Sequence, residues 1–383
     1  MTSQRWVTLA ILCGLAAHVA IALWNGLAGP SFGAEADAQT FHRYAIQVAR
    51  HVEPPESTLA VYSYAHALGL AYRVTGESLL IGSLLSCAAW LASALLLRGM
   101  MRLLHADHVA QAAGLLIFGL LPSSVLWNSV TLREPYQLLG VNLALYGALR
   151  IVVARDRRHW LLIVAAIVLG AYLHAVIAMF GVFIAAVTIF LELWDQLKPA
   201  GRVALVIGVS LLSAVAAIVL FRVVFEYDLK SGPQEALENF LLKGMYPART
   251  NYRDSWTVGG LIGLALFIPV SLAQYLFEPM PWHVNAPIDA GYVFENIIRA
   301  LLIGSMLYSV ARSSGAPRRH LAVIAVSYFF IETLWSMGTL NWGTSARHHL
   351  PAGGALIAGA TAYSSHWRAV RESTAPTPQR LRA

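Results

Sequence analysis

Long apolar runs, separated by short polar or basic stretches, set the pattern of this chain. Runs long enough to cross a hydrocarbon core of ~30 Å fall at 6–27, 79–104, 109–126, 136–154, 203–224, 293–312, 320–338 and 350–365. The run 159–194 is too long for one helix, and His174 interrupts it, so two short crossings are expected there. Two further apolar stretches, 58–72 and 258–278, could either cross or lie at the surface.

Charge decides between those topologies. If both stretches stay at one face, Arg98 and Arg102, the group from Arg150 to Arg158, Lys198 and Arg202, the group from Arg312 to Arg319, and the tail from Arg368 share one side. Basic residues near helix ends mark the cytoplasmic side. If both stretches cross, three of these clusters flip outward. The expected fold is therefore all-α: a polytopic membrane helix bundle with about ten crossings and both termini cytoplasmic. It forms a single transmembrane domain over 1–365, followed by a cytoplasmic basic tail at 366–383. Two large loops, 28–78 and 225–292, then face outward, each with an embedded interfacial or re-entrant helix. In a bacterium that face is the periplasmic side of the inner membrane.

Composition agrees with this picture. Residues are 57% hydrophobic and only 12% charged, against about 25% charged in soluble domains. The net charge of +7 would suggest nucleic acid in a soluble protein; here it reads as orientation signal, and no nucleic-acid partner is expected. Cys13 and Cys87 both lie in apolar segments and offer neither a disulfide framework nor a metal site. The first run lacks a small-residue cleavage site and is expected to be retained as a helix.

Candidate chemistry collects at the outer face. Glu35 and Asp37, a residue apart just after the first helix, suit a general base or a divalent cation; an ordinary helix cap is the plain alternative. Arg133 and Glu134 sit on a turn before Pro135, where Glu134 could simply favour the helix dipole. Ionisable groups at membrane depth are nevertheless candidates for function by default. Asn341, Trp342, Arg347, His348 and His349 follow a Gly-containing turn; an arginine fork suits phosphate oxygens, and a histidine can donate a proton. In the second loop, Arg249, Tyr252 and Arg253 precede Trp282 and His283. Tyrosine and tryptophan there also suit an interfacial belt. His174 is a weaker candidate that also marks a helix break.

The order of these features resembles the GT-C class of membrane glycosyltransferases. Glu35 and Asp37 after the first helix, the loop helix from Tyr62 to Gly76, and the helix from Leu79 to Arg102 carry the resemblance, together with Glu134 after a proline turn. Pro122 to Glu134, Pro279 to Trp282, and Asn341 to His348 resemble segments of bacterial polysaccharide-assembly proteins of the O-antigen and exopolysaccharide polymerase kind. The acidic pair is split by Ala36 and Glu134 stands where aspartate is more usual, so the base and any metal stay open.

The resemblance implies transfer of a sugar or glycan from a polyprenyl phosphate or pyrophosphate donor to a glycan, lipid or protein acceptor at the periplasmic face. Asp37 or Glu35 would be the base, with Glu134 and His348 the other catalytic candidates. Arg133, Arg249, Tyr252, Arg253, Trp282, His283, Asn341, Arg347 and His349 would bind substrate. No cofactor follows from the residues; magnesium or manganese on Glu35 and Asp37 is the one candidate. Two other readings compete: a transporter or flippase of a lipid-linked or small polar substrate, and a non-catalytic component of a polysaccharide complex.

Overall fold

The computed structural model describes residues 3–29, 35–54, 59–194, 196–204, 207–208, 249–252 and 260–362. Those residues form helices α1 (Ser3–Leu27), α2 (Glu35–Ala49), α3 (Leu59–Thr75), α4 (Leu79–Leu103), α5 (His108–Leu120), α6 (Pro122–Trp127) and α7 (Glu134–Ala154). The series continues with α8 (Trp160–Leu173), α9 (Ala175–Trp194), α10 (Gly260–Phe277), α11 (Pro287–Arg312), α12 (Gly315–Gly338), α13 (Trp342–His348) and α14 (Gly353–Thr361). Among the described residues there is no strand, only an isolated antiparallel bridge between Asn251 and Asn341.

Six helices, α1, α4, α7, α9, α11 and α12, are long and apolar enough to cross a membrane. Their outward faces keep large side chains exposed, among them Leu9, Leu12, Leu95, Leu301 and Val326. In water such surface would drive association; against lipid tails it carries no penalty.

Close helix contacts define chain directions. α1 and α4 are antiparallel, with Gly26 against Leu80 at one end and Gly14 against the Trp90 ring farther in. A Cβ on Gly119 of α5 would lie 2.9 Å from the Gly14 Cα. Glycines thus let the α1 and α5 backbones touch, as small residues do in membrane helix pairs. α4 and α7 run parallel: Asn142 Nδ2 donates to the Ser93 carbonyl at 3.4 Å, and Gly99 packs on Tyr146. In that register Glu134 lies about two turns below the start of α4, or ~10 Å. Thr131, packed on Gly82 and Ser83, fits the same depth.

Two apolar runs are broken in instructive ways. The run 159–194 divides at His174, whose extended backbone separates α8 from α9. The two helices fold back on each other, Gly170 against Ala178 and Gly181 against Ile167. The run 109–126 is not one crossing helix. Leu121, extended at ψ 131°, separates α5 from α6, because the ring of Pro122 disfavours helical backbone in the residue before it. Of the run 203–224, only residues 203–204 and 207–208 are described, and they are helical.

The stretches that the sequence left open form α3 and α10. α3 packs mainly on α2, with Gly69 against Ala45 and Val48. α10 runs antiparallel to α12, Ser271 Oγ donating to the Ser336 carbonyl. It ends near Glu332 and α11, where Arg299 Nη1 donates to the Leu276 carbonyl at 3.0 Å. The chain then turns through Glu278–His283 into α11.

Candidate site around Arg347

The site lies at the bundle end where α4 and α7 begin. Three carboxylate and guanidinium carriers from distant segments meet there. Arg347 Nη1 donates to Asp37 Oδ2 at 2.5 Å, and Arg347 Nε stands 3.0 Å from Glu134 Oε1. The second contact is an ion pair without hydrogen-bond alignment, and Glu134 Oε2 and Arg347 Nε have no hydrogen-bond partner. Asp37 is half exposed, Arg347 largely covered and Glu134 buried. The network therefore grades from solvent into the bundle.

Arg133 lies behind this group. Its guanidinium sits 5.4 Å from the Phe41 ring centroid, and Nη1 makes a long contact of 3.4 Å to the Leu173 carbonyl. It interacts electrostatically with Glu134, Arg347 and Asp37. Two guanidinium groups and two carboxylates thus share one neighbourhood. Unlike charges held together offset much of the penalty for removing them from water.

Local sequence explains the placement. α2 begins at Glu35, so Asp37 lies inside the first helical turn rather than at the cap. Phe41 and Ala45 on the buried side of α2 pack with Tyr64 and Leu68 of α3 and with Ala346 and Leu350. Pro135 near the start of α7 fixes Glu134 at that helix's positive end. Asn341 caps α13, its Oδ1 accepting from Thr344 N at 2.7 Å, so its role here is to start the helix that carries Arg347.

The adjacent histidines at the end of α13 and just past it have separate surroundings. His348 stacks on Trp335 at 4.1 Å, which in turn packs on His174 at 4.5 Å. Thr339 spends its hydroxyl proton on the Trp335 carbonyl. The 2.9 Å contact to His348 Nδ1 therefore needs Nδ1 to donate, which leaves Nε2 as the acceptor of a neutral ring. Burial first, then Arg347, His174 and Arg133, hold this imidazole well below the usual histidine range. A neutral His348 offers a base more readily than the proton donor expected from sequence. His349 turns instead into the bundle, to Glu332 and the Tyr275 carbonyl.

Other sequence candidates lie elsewhere. Arg249 is bound by both oxygens of Asp289, at 2.6 and 3.2 Å. Asp289 is fully buried and also accepts from Trp342 Nε1 at 3.1 Å and from the backbone N–H of Asn285 and Ala286. Tyr252 donates its hydroxyl to the Thr339 carbonyl at 2.7 Å. Both residues therefore fasten residues 249–252 to α13 and α11. His283 pairs with Glu278 at 2.7 Å, beside a Trp282 that is 75% exposed. Arg253 lies outside the described residues, as does the side chain of Glu35. Among the described residues, no group of three His, Cys, Asp or Glu converges as a metal site.

Sequence reasoning missed Asp289, Glu295 and Arg299. The last two stand four residues apart within an apolar run, so the rule that intramembrane ionisable residues are functional candidates would have found them. No family model matches the chain, and no curated protein or solved structure matches it.

Asp289 is expected to hold the site's frame together. Asp289→Ala would strand a buried indole N–H and two backbone N–H groups, at about 1–3 kcal/mol for each group left unsatisfied. The thermal unfolding temperature of the purified protein should fall clearly, with a smaller drop for Arg249→Ala, whose side chain is 47% exposed. An unchanged unfolding temperature in Asp289→Ala would remove the anchoring role.

Proposed function

We propose that the protein is a membrane glycosyltransferase or polysaccharide polymerase that takes its donor from polyprenyl phosphate or pyrophosphate at the periplasmic face of a bacterial inner membrane. One observation carries the reading: Arg347 is suspended between a half-exposed Asp37 and a buried Glu134, with Arg133 behind. A fork held from below by Glu134 can exchange its outer partner, Asp37, for a phosphate oxygen.

That exchange prepares both halves of the reaction. Phosphate engaging Arg347 frees the Asp37 carboxylate, which then accepts the proton of the acceptor hydroxyl. The acceptor oxygen forms the bond to the anomeric carbon as the bond from that carbon to phosphate oxygen breaks. The electron pair leaves on the polyprenyl phosphate, facing the charge of Arg347 and Arg133. Stabilising charge that develops on a leaving group is usually the largest catalytic contribution.

The proposed topology has about ten crossings, with both termini cytoplasmic and α10 entering and leaving from the outer side. The end opposite the site supports this orientation: Arg98 and Arg102 close α4, Arg155 to Arg158 follow α7, and Arg312 ends α11. A second reading, a transporter of a lipid-linked substrate, draws on the ionisable residues buried deeper in the bundle, Glu332 and Arg299 among them. Transfer by the purified protein in detergent separates the two, since a transporter makes no product there.

Cysteines placed at 156 and 197, after removal of Cys13 and Cys87, should resist an impermeant thiol reagent in intact cells, whereas a cysteine at 51 should react. Labelling at 156 from outside would reverse the orientation and place the site in the cytoplasm.

With a polyprenyl-linked sugar as donor, Asp37→Asn should leave donor binding nearly intact and lower turnover by about 10²–10⁴-fold. Arg347→Lys keeps the charge but loses the fork, so turnover and donor binding should fall together. Full activity in Asp37→Asn with an inactive Glu35→Gln would transfer the base to Glu35. Full activity in both would end the carboxylate mechanism.

A further inference from the structure

Below the Arg347 group, α6, α11, α12 and the segment from His349 into α14 enclose a cavity of about 60 Å³. Its surface is mostly apolar, but several ionisable and polar side chains reach it. Glu295 and Arg299 come from α11, Glu332 from α12, and Asn128 from the turn after α6. Glu332 is 1% exposed and His349 is 7% exposed.

The pairing of these two residues defines a proton. His349 Nε2 lies 3.0 Å from the Tyr275 carbonyl, which can only accept, so Nε2 carries a hydrogen. His349 Nδ1 lies 2.7 Å from Glu332 Oε2, and that contact needs another. The pair is therefore either imidazolium with carboxylate or imidazole with carboxylic acid. Both states are neutral overall and hold the same extra proton. A net charge at this depth is strongly disfavoured, which retains the proton at rest.

The cavity places further polar atoms beside that proton. Among the described residues, Glu332 Oε1, Tyr328 Oη and Asn128 Oδ1 are buried without a hydrogen-bond partner, and all three residues line it. A cavity that carries such atoms, and is well above the ~10–15 Å³ that one water needs, is expected to hold several waters. We propose that the His349–Glu332 pair is a proton-binding site inside the membrane, reached through water in this cavity.

The surrounding groups make release feasible. Arg299 of α11 faces the pair and would counter the carboxylate left when the proton departs. It is steadied by the Leu276 carbonyl and Asn296 Oδ1. Glu295, one turn away, is held by the Ser123 backbone N–H at 2.7 Å. Tyr275 of α10, Tyr328 of α12 and His348, next to His349, are further titratable groups around the pair. Arg299 also argues against a metal cation as the occupant. His349 follows Arg347 by two residues, so a change of charge in the pair acts on the segment that carries the candidate site.

Infrared difference spectra between acidic and alkaline buffer, on the full chain in lipid nanodiscs, test it. A carbonyl band of a buried carboxylic acid should appear, shift in D₂O, vanish in Glu332→Gln and persist in Glu295→Gln and Asp37→Asn. Absence of that band together with absence of an imidazolium band that depends on His349, or loss of the carbonyl band in Glu295→Gln instead, would overturn the assignment. If Glu332→Gln does not accumulate, His349→Gln should move the band, and an unmoved band counts against the pair. Disappearance of the band on adding sodium at constant pH would make the occupant a metal cation and refute the proton.

Discussion

The structure turns on one guanidinium. Arg347 joins Asp37 on α2 to Glu134 on α7, across 310 residues of chain in the first case. Taking an arginine and two carboxylates out of bulk water is costly unless each finds its partner. The elements that deliver the three are therefore tightly determined. α2 is docked through Phe41 and Ala45, Pro135 sets the start of α7, and α13 is held at its beginning by the Asn341 cap and by Trp342 on Asp289. Loosening any of these leaves a charge stranded in a low-dielectric setting.

Below that rim the bundle does something different with its polar residues. The outer cluster is partly open and contains ions that can change partners. The inner cluster around Glu332 and His349 is buried and, among the described residues, short of hydrogen-bond partners. Two residues near the end of one short helix and just past it feed the two zones: Arg347 faces the rim, while His349 reaches inward to α10 and α12. Successive helical residues are rotated by about 100°, so three neighbouring polar side chains can serve separate environments.

Much of this was legible in the sequence, for identifiable reasons. Apolar runs located the long helices, and a single polar residue, His174, located the turn between α8 and α9. The break at Leu121 was legible in Pro122, but continuing apolarity hid the short helix α6 that follows it. Asp37, Glu134 and Arg347 stood out because charges near a membrane boundary are rare. Their mutual pairing could not be read, since it depends on how four helices pack. Arg249 looked like a free phosphate ligand because its partner, Asp289, belongs to the first turn of a later helix. His348 and His349 read as one motif, yet their hydrogen bonds give them unrelated surroundings.

The proposed mechanism requires the Arg347 fork to exchange Asp37 for a phosphate. Binding of polyprenyl phosphate, without any sugar, to the full chain in lipid nanodiscs tests this most directly. Arg347→Ala should weaken binding by about 1.5–3 kcal/mol, the range for hydrogen bonds to charged groups, or roughly 10–150-fold. Asp37→Asn should bind as tightly as the parent or more so, because it no longer competes for the fork. Equal affinity of the parent and Arg347→Ala would contradict the account.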